Sequence, residues 1–330
     1  MKTKLLSLAL VSSLGLVGCG SSDDNDPVAL DIVETAQSDD RFDTLVAAVT
    51  AADLVGTLQG DGPFTVFAPT DAAFAAYLED NSLDAADLLA SDQLADILTY
   101  HVYAGEVLAS SAISIASSSE NVVEMVNTDN LALSLTGNTL YANLSEVIVT
   151  DVQASNGVIH AIDKVLTPPA ASDLSNTDRT IAQLVTDLST GSTDEFNVLL
   201  EAVVAAELDD DLAGAGPFTV FAPTDAAFTA LLNALNINKA DLLADRPNLD
   251  NILLQHVIGS EIDSVTAFAA NGADVQTLNP SEKVTVAIVD GELTIEGATV
   301  VITDVQASNG VIHVIDTVIA ETDTPAPEAI

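Results

Sequence analysis

Basic residues are scarce. Eight Lys and Arg stand against 50 Asp and Glu, a formal net charge of −42. Nucleic acid is bound through basic groups that neutralise phosphates, so this balance excludes a nucleic-acid partner. Bare anionic surfaces repel the chain for the same reason. Cysteine is almost absent: Cys19 stands alone, and no internal disulfide can form. Long apolar runs are missing too. The longest, residues 5–17, is too short to span a bilayer as a stable anchor. A helical His-x3-His pair, a nucleophile elbow and a Gly-rich phosphate loop are all lacking. The sequence therefore predicts no catalytic residue, no cofactor and no metal. Yet 48% of the residues are apolar, too many for a disordered acidic chain and enough to build cores. An acid-rich, Lys-poor surface suits high ionic strength. The melting temperature is expected to rise between roughly 10 mM and 1 M NaCl, as the screening length falls from about 30 to about 3 Å. A flat melting temperature would remove the case for a halotolerant or marine source.

The main positive feature is a duplication. Residues 62–74, Gly-Pro-Phe-Thr-Val-Phe-Ala-Pro-Thr-Asp-Ala-Ala-Phe, return letter for letter as residues 216–228. Residues 150–160, Thr-Asp-Val-Gln-Ala-Ser-Asn-Gly-Val-Ile-His, return as 303–313. The two offsets, 154 and 153, are nearly equal, so the chain carries two copies of one unit. Each copy is far longer than a solenoid repeat and is expected to be a domain in itself. The division reads as a signal peptide (1–18), a lipidated cysteine with a flexible acidic tether (19–27), a first domain (28–167), a Pro-rich linker (168–176), a second domain (177–320) and a disordered tail (321–330).

Each copy places its helices early and its strands late, the pattern of an α+β domain. A short helix is expected near 28–35. A stronger one follows, with Ser38, Asp39 and Asp40 as N-caps and Phe42, Leu45, Val46 and Val49 on one face. Residues 64–68 read as a strand that Pro69 stops. Thr70 then caps a helix beginning at Asp71, whose carboxylate suits a helix N-terminus. Thr224 and Asp225 repeat this pair. Residues 83–98 are helical in pattern, and period-two segments follow from Val122 onward. Asn156-Gly157 and Asn309-Gly310 read as two-residue turns that need positive φ.

All four histidines, His101, His160, His256 and His313, occupy equivalent positions, two per copy. Such a pair can begin a metal site or serve acid–base chemistry. The favoured reading is packing. Each ring sits half-buried on a strand, bonds a carbonyl through one N–H, and holds the helix-to-sheet junction.

Leu16-Val17-Gly18-Cys19 resembles the lipobox of bacterial lipoproteins, after a start with Lys2 and Lys4 and a brief apolar run. The resemblance implies cleavage before Cys19, lipidation of its thiol and attachment to a membrane. Gly20 after the cysteine resembles outer-membrane sorting. Residues 20–27 lack the Gly and the distal Glu of an EF-hand loop.

The repeated Phe-Thr-Val-Phe-Ala-Pro-Thr-Asp-Ala-Ala-Phe block, Tyr100-His101, and residues 154–163 together resemble the fasciclin domain, in both copies and in the family's order. The resemblance implies two tandem domains, each a wedge of two β-sheets with helices packed at one side. It also implies adhesion and matrix contact. In animal matrix members an Asp-Ile before the second stretch, with the Tyr-His motif, is tied to integrin contact. The corresponding residues are Asp151-Val152, Asp304-Val305, Tyr100-His101 and, in the second copy, His256, which follows Gln255. They stand as a candidate contact surface, although valine replaces isoleucine in both copies. The expectation is a non-enzymatic outer-membrane lipoprotein, surface-exposed, that binds a polysaccharide or protein matrix component. The alternative is a periplasmic-facing ligand-binding or envelope-maintenance lipoprotein, holding an apolar or cationic small molecule between sheet and helices.

Overall fold

The computed structural model describes residues 29–169, 172–190 and 195–320. The signal peptide, Cys19, the acidic tether, Ala170 and Ala171 of the linker, and the tail from residue 321 lie outside these. No described helix is long and apolar enough to cross a membrane.

The first domain opens with α1 (Ile32–Gln37), α2 (Asp43–Ala51) and α3 (Val55–Leu58), then β1 (Phe64–Pro69). After it come α4 (Asp71–Asp80), α5 (Ala85–Leu89), α6 (Leu94–Tyr100), β2 (Val102–Tyr103) and α7 (Ala109–Ala116). Strands complete it: β3 (Val122–Glu124), β4 (Asn130–Thr136), β5 (Thr139–Ala142), β6 (Ser145–Ala154) and β7 (Gly157–Ile162). The second domain repeats this order. Its helical part is α8 (Ile181–Thr190), α9 (Asn197–Ala205), α10 (Asp209–Leu212), β8 (Phe218–Pro223), α11 (Asp225–Leu235), α12 (Lys239–Ala244), α13 (Arg246–Gln255), β9 (Val257–Ile258) and α14 (Ser264–Ala269). Its strands are β10 (Ala273–Gln276), β11 (Lys283–Val289), β12 (Glu292–Ile295), β13 (Ala298–Ala307) and β14 (Gly310–Ile315).

The α+β class holds, with the two expected sheets joined into one. The first domain runs β2-β1-β7-β6-β5-β4-β3 and the second repeats the order. The pairings of β1 with β7 and of β8 with β14 are parallel, and the other strand pairs are antiparallel. The β6–β7 register slips twice, between Val147 and Val149 and between Val149 and Val152. Such bulges bend a strand and increase its twist. The sheet closes over itself: Phe67 on β1 and Leu133 on β4 share one buried cluster although three strands separate them in the order. Val66 and Ala68, on the opposite face of β1, join Phe42, Leu45, Val49 and Phe74 of the helices.

Two local expectations are corrected. The helix read over 83–98 divides into α5 and α6. Ser38, Asp39 and Asp40 do not cap α2, whose N-cap residue is Phe42 with no side-chain bond. Asp39 instead accepts from Arg41 Nε at 2.9 Å, and that hydrogen bond holds its carboxyl below the usual range.

The domains pack on one another. Ala132 of β4 and Leu144 join a cluster built from Val265 and Phe268 of α14 and from β11. Asn271 donates through Nδ2 to Thr136 Oγ1 at 3.0 Å, while its Oδ1 accepts from Ile288 N at 2.8 Å. Asn121 Nδ2 reaches Ala269 O at 2.7 Å, and Lys164 Nζ reaches Gly291 O at 2.6 Å.

Candidate functional site

The duplicated motifs converge at one end of each sheet, where β1 and β7 run side by side. Thr70 has extended backbone and its Oγ1 accepts from Ala73 N at 3.3 Å, capping α4. Asp71 follows as the first helical residue, and its carboxylate works across space. Oδ1 accepts from Thr44 N at 2.7 Å, satisfying an orphan donor of α2 that Phe42 cannot reach. The second domain strengthens the device. Asp225 accepts from Val198 N at 2.8 Å and from Asn197 N at 3.2 Å, again where a phenylalanine, Phe196, holds the N-cap position. Thr224 Oγ1 accepts from Ala227 N at 3.1 Å. One carboxylate thus serves two helix N-termini, where negative charge is favoured. Asp71→Ala is expected to lower stability by about 1–2 kcal/mol, the range for lost N-caps. Asp225→Ala should cost more, having more partners. Urea unfolding of each variant checks the order.

The histidines are fully interior. His101 caps the end of α6: its Nδ1 lies 2.7 Å from Ile97 O and its Nε2 accepts from Leu166 N at 2.9 Å. An Nε2 that accepts fixes the proton on Nδ1, so both nitrogens are spent. His256 repeats this with Ile252 O at 2.7 Å and Ile319 N at 2.9 Å. Burial pushes both down to about 4. His160 faces the other way. Its Nε2 donates to Val107 O at 2.7 Å and its Nδ1 accepts from Asp151 N at 3.2 Å. His313 does so with Ile262 O at 2.8 Å and Asp304 N at 3.3 Å. Burial lowers these two as well. Half-burial was expected; the rings are instead enclosed, and each clamps two backbone segments. Neutral and doubly bonded, they can neither ligate a metal nor shuttle protons near neutral pH without breaking the fold. Among the described residues, every buried side-chain nitrogen and oxygen has a hydrogen-bond partner.

Asn156 also faces inward. The turn between β6 and β7 is Ser155-Asn156, and Asn156 does not adopt the positive φ expected of it. Its Oδ1 accepts from Ile32 N at 2.9 Å, and its Nδ2 donates to Leu58 O at 2.8 Å and Gly60 O at 2.9 Å. Asn309 makes the same three bonds with Ile181, Leu212 and Gly214. The asparagine therefore ties the helical layer to the sheet. Gly157 is needed for close approach: a Cβ there would stand 2.0 Å from Phe64 O, as at Gly310 from Phe218 O.

Five of the seven candidate contact residues lie inside the fold. Tyr100, His101, His256, Asp304 and Val305 are all buried. Tyr100 Oη donates to Asn130 O at 2.6 Å and accepts from Asn143 Nδ2 at 2.8 Å, stitching α6 to β4. Asp151 and Val152 are half-buried at the β6 bulge. Asp151, at φ +59°, turns its Oδ1 onto Ala109 N at 2.8 Å and caps α7. Asp304, at φ +57°, does the same for Ser264 N at 2.9 Å. Alternating polar residues at a bulge read as outward-facing in sequence. The register slip turns them inward.

A family model for the fasciclin domain matches residues 40–168 and again 194–321. The chain belongs to the fasciclin-domain family. Protein sll1483 of Synechocystis sp. is 44% identical over 142 residues, 43% of this chain and 75% of the relative. Transforming growth factor-beta-induced protein ig-h3 of Sus scrofa is 38% identical over 141 residues, 42% of this chain and 19% of that protein. Among solved structures, a fasciclin domain pair from the insect cell adhesion molecule Fasciclin I is 20% identical, with a TM-score of 0.37, covering 83% of this chain and 92% of that one. In the first fasciclin domain α1 lies ahead of the matched span, yet Ile32 and Val33 are part of the same core.

The alternative reading calls for a space between sheet and helices, but the sequence names none of its walls. Each fasciclin domain holds an apolar cavity between its early helices and its first strand, about 50 Å³ in the first and about 140 Å³ in the second. No periodic pattern announces a void, because its walls are ordinary core positions.

Proposed function

We propose that this chain is a non-enzymatic adhesion lipoprotein, anchored through lipidated Cys19 in the outer membrane and exposed at the surface. Its two fasciclin domains hold the cell to a polysaccharide or protein matrix by weak, multivalent contact. The observation that carries this reading is the fate of the family motifs: their histidines, aspartates and asparagines are consumed inside the fold, leaving no reactive pair facing a cleft. Two linked domains gain avidity through effective concentration without a strong single site. A net charge of −42 selects neutral or basic polymers over acidic ones.

Protease shaving of intact cells tests the reading, with a periplasmic protein as control. Loss of this protein while the control survives is the expected result, together with weaker attachment after gene deletion. Protection until the outer membrane is opened would overturn it.

A further inference from the structure

We propose that the second domain binds a small apolar molecule carrying no negative charge, in the cavity beneath its early helices. This goes beyond the adhesion reading and does not depend on it. Val49, Leu58, Phe64 and Val66 line the first cavity; Val203, Leu212, Phe218 and Val220 line the second at equivalent positions. The overlying helices differ in sequence, DTLVAAVTA in α2 against NVLLEAVVA in α9, yet both leave a void.

The mouths carry an independent sign. Each is flanked by one exposed apolar side chain, Val126 at 37% or Leu278 at 41%. The two sit in unlike sequences, Met125-Val126-Asn127 and Thr277-Leu278-Asn279, but the same backbone bond holds both. Val126 N donates to Val102 O at 2.8 Å, and Leu278 N donates to Val257 O at 2.7 Å. An apolar side chain kept in water at a cavity mouth gains burial when a ligand bridges it to the interior.

The walls define the ligand. His101 and His256 border the cavities, but their ring nitrogens are already bonded and offer nothing to a polar guest. Recognition rests on shape and apolar area. Charge adds a filter: Asp211 borders the second cavity where the first has Thr57, and the whole chain is strongly acidic. Anionic amphiphiles are excluded and cationic ones favour the second domain. Its 140 Å³ is close to the ~150 Å³ of an apolar cavity that admits benzene. A benzene-sized ring or a short aliphatic end fits there, whereas the first cavity, at about 50 Å³, is too small for a ring.

The test titrates the chain from Cys19 onward, methyl-labelled at Val and Leu, with toluene, benzylamine and benzoate, three near-isosteres of different charge. Toluene is expected to give saturable shifts at Val203 and Leu278. Benzylamine should bind more tightly than benzoate, with the gap narrowing in Asp211→Asn. Val203→Phe, which fills the void, should weaken toluene binding by at least about tenfold. Should that variant fail to fold, Leu278→Ala removes only an exposed side chain and must weaken binding several-fold. Absence of saturable shifts overturns the proposal. So does unchanged toluene binding in folded Val203→Phe or in Leu278→Ala, or equal binding of benzoate and benzylamine.

Discussion

Gly157→Ala is expected to be the most damaging single-methyl substitution in the first domain, lowering its stability by on the order of 4–5 kcal/mol or more. The added Cβ would lie 2.0 Å from Phe64 O and 2.8 Å from Phe64 N. Both are backbone atoms of β1, so no flexible side chain can move aside. Relief requires β7 to part from β1, and that parallel pair joins the two halves of the domain. A native domain holds only about 5–15 kcal/mol in all. Gly310→Ala should do equal harm to the second domain, against Phe218 O at 2.0 Å. Gly56→Ala is the control. Nothing lies within 4 Å of its Cβ, and a helical glycine replaced by alanine gains about 0.4–1 kcal/mol. Urea unfolding distinguishes the three. If Gly157→Ala unfolds within about 1 kcal/mol of the parent, the steric account is wrong.

Acid should destabilise the protein well above the range where its carboxylates titrate. An unfolded histidine titrates near 6.5, whereas burial keeps His101 and His256 neutral down to about 4. Below 6.5 the unfolded chain therefore binds protons that the folded chain refuses. Stability is complete above that value and falls as pH drops toward 4. Each of these two histidines accounts for roughly 2 kcal/mol by pH 5 and on the order of 3 kcal/mol by pH 4. His160 and His313 act in the same direction. Protonation of the 50 acidic residues relieves repulsion and opposes the trend, but mostly near ~4, so the window between about pH 7 and pH 5 isolates the histidines. His101→Asn should be less stable than the parent near pH 7 and lose one histidine's share of the pH slope. Equal stability of the parent at both ends of that window would refute the claim.

The sequence by itself determined the duplication, the α+β class and the strand order's raw material. Long identical blocks and period-two segments are local signals that need no partner to be read. It also marked Thr70, whose cap is made within four residues of itself. Side chains whose partners lie far along the chain were illegible. Asp71 reaches α2 across 27 residues, His101 reaches Leu166 across 65, and Asn156 reaches Ile32 across 124. Such motif residues look like exposed chemistry in one dimension, and only the closed fold shows that they are internal fasteners. The β6 bulge adds a second reason: a register slip reverses which side chains face inward, and no alternation pattern records it. The cavities were decided by tertiary structure alone, since a void is a property of how helices settle on a sheet and not of any residue lining it.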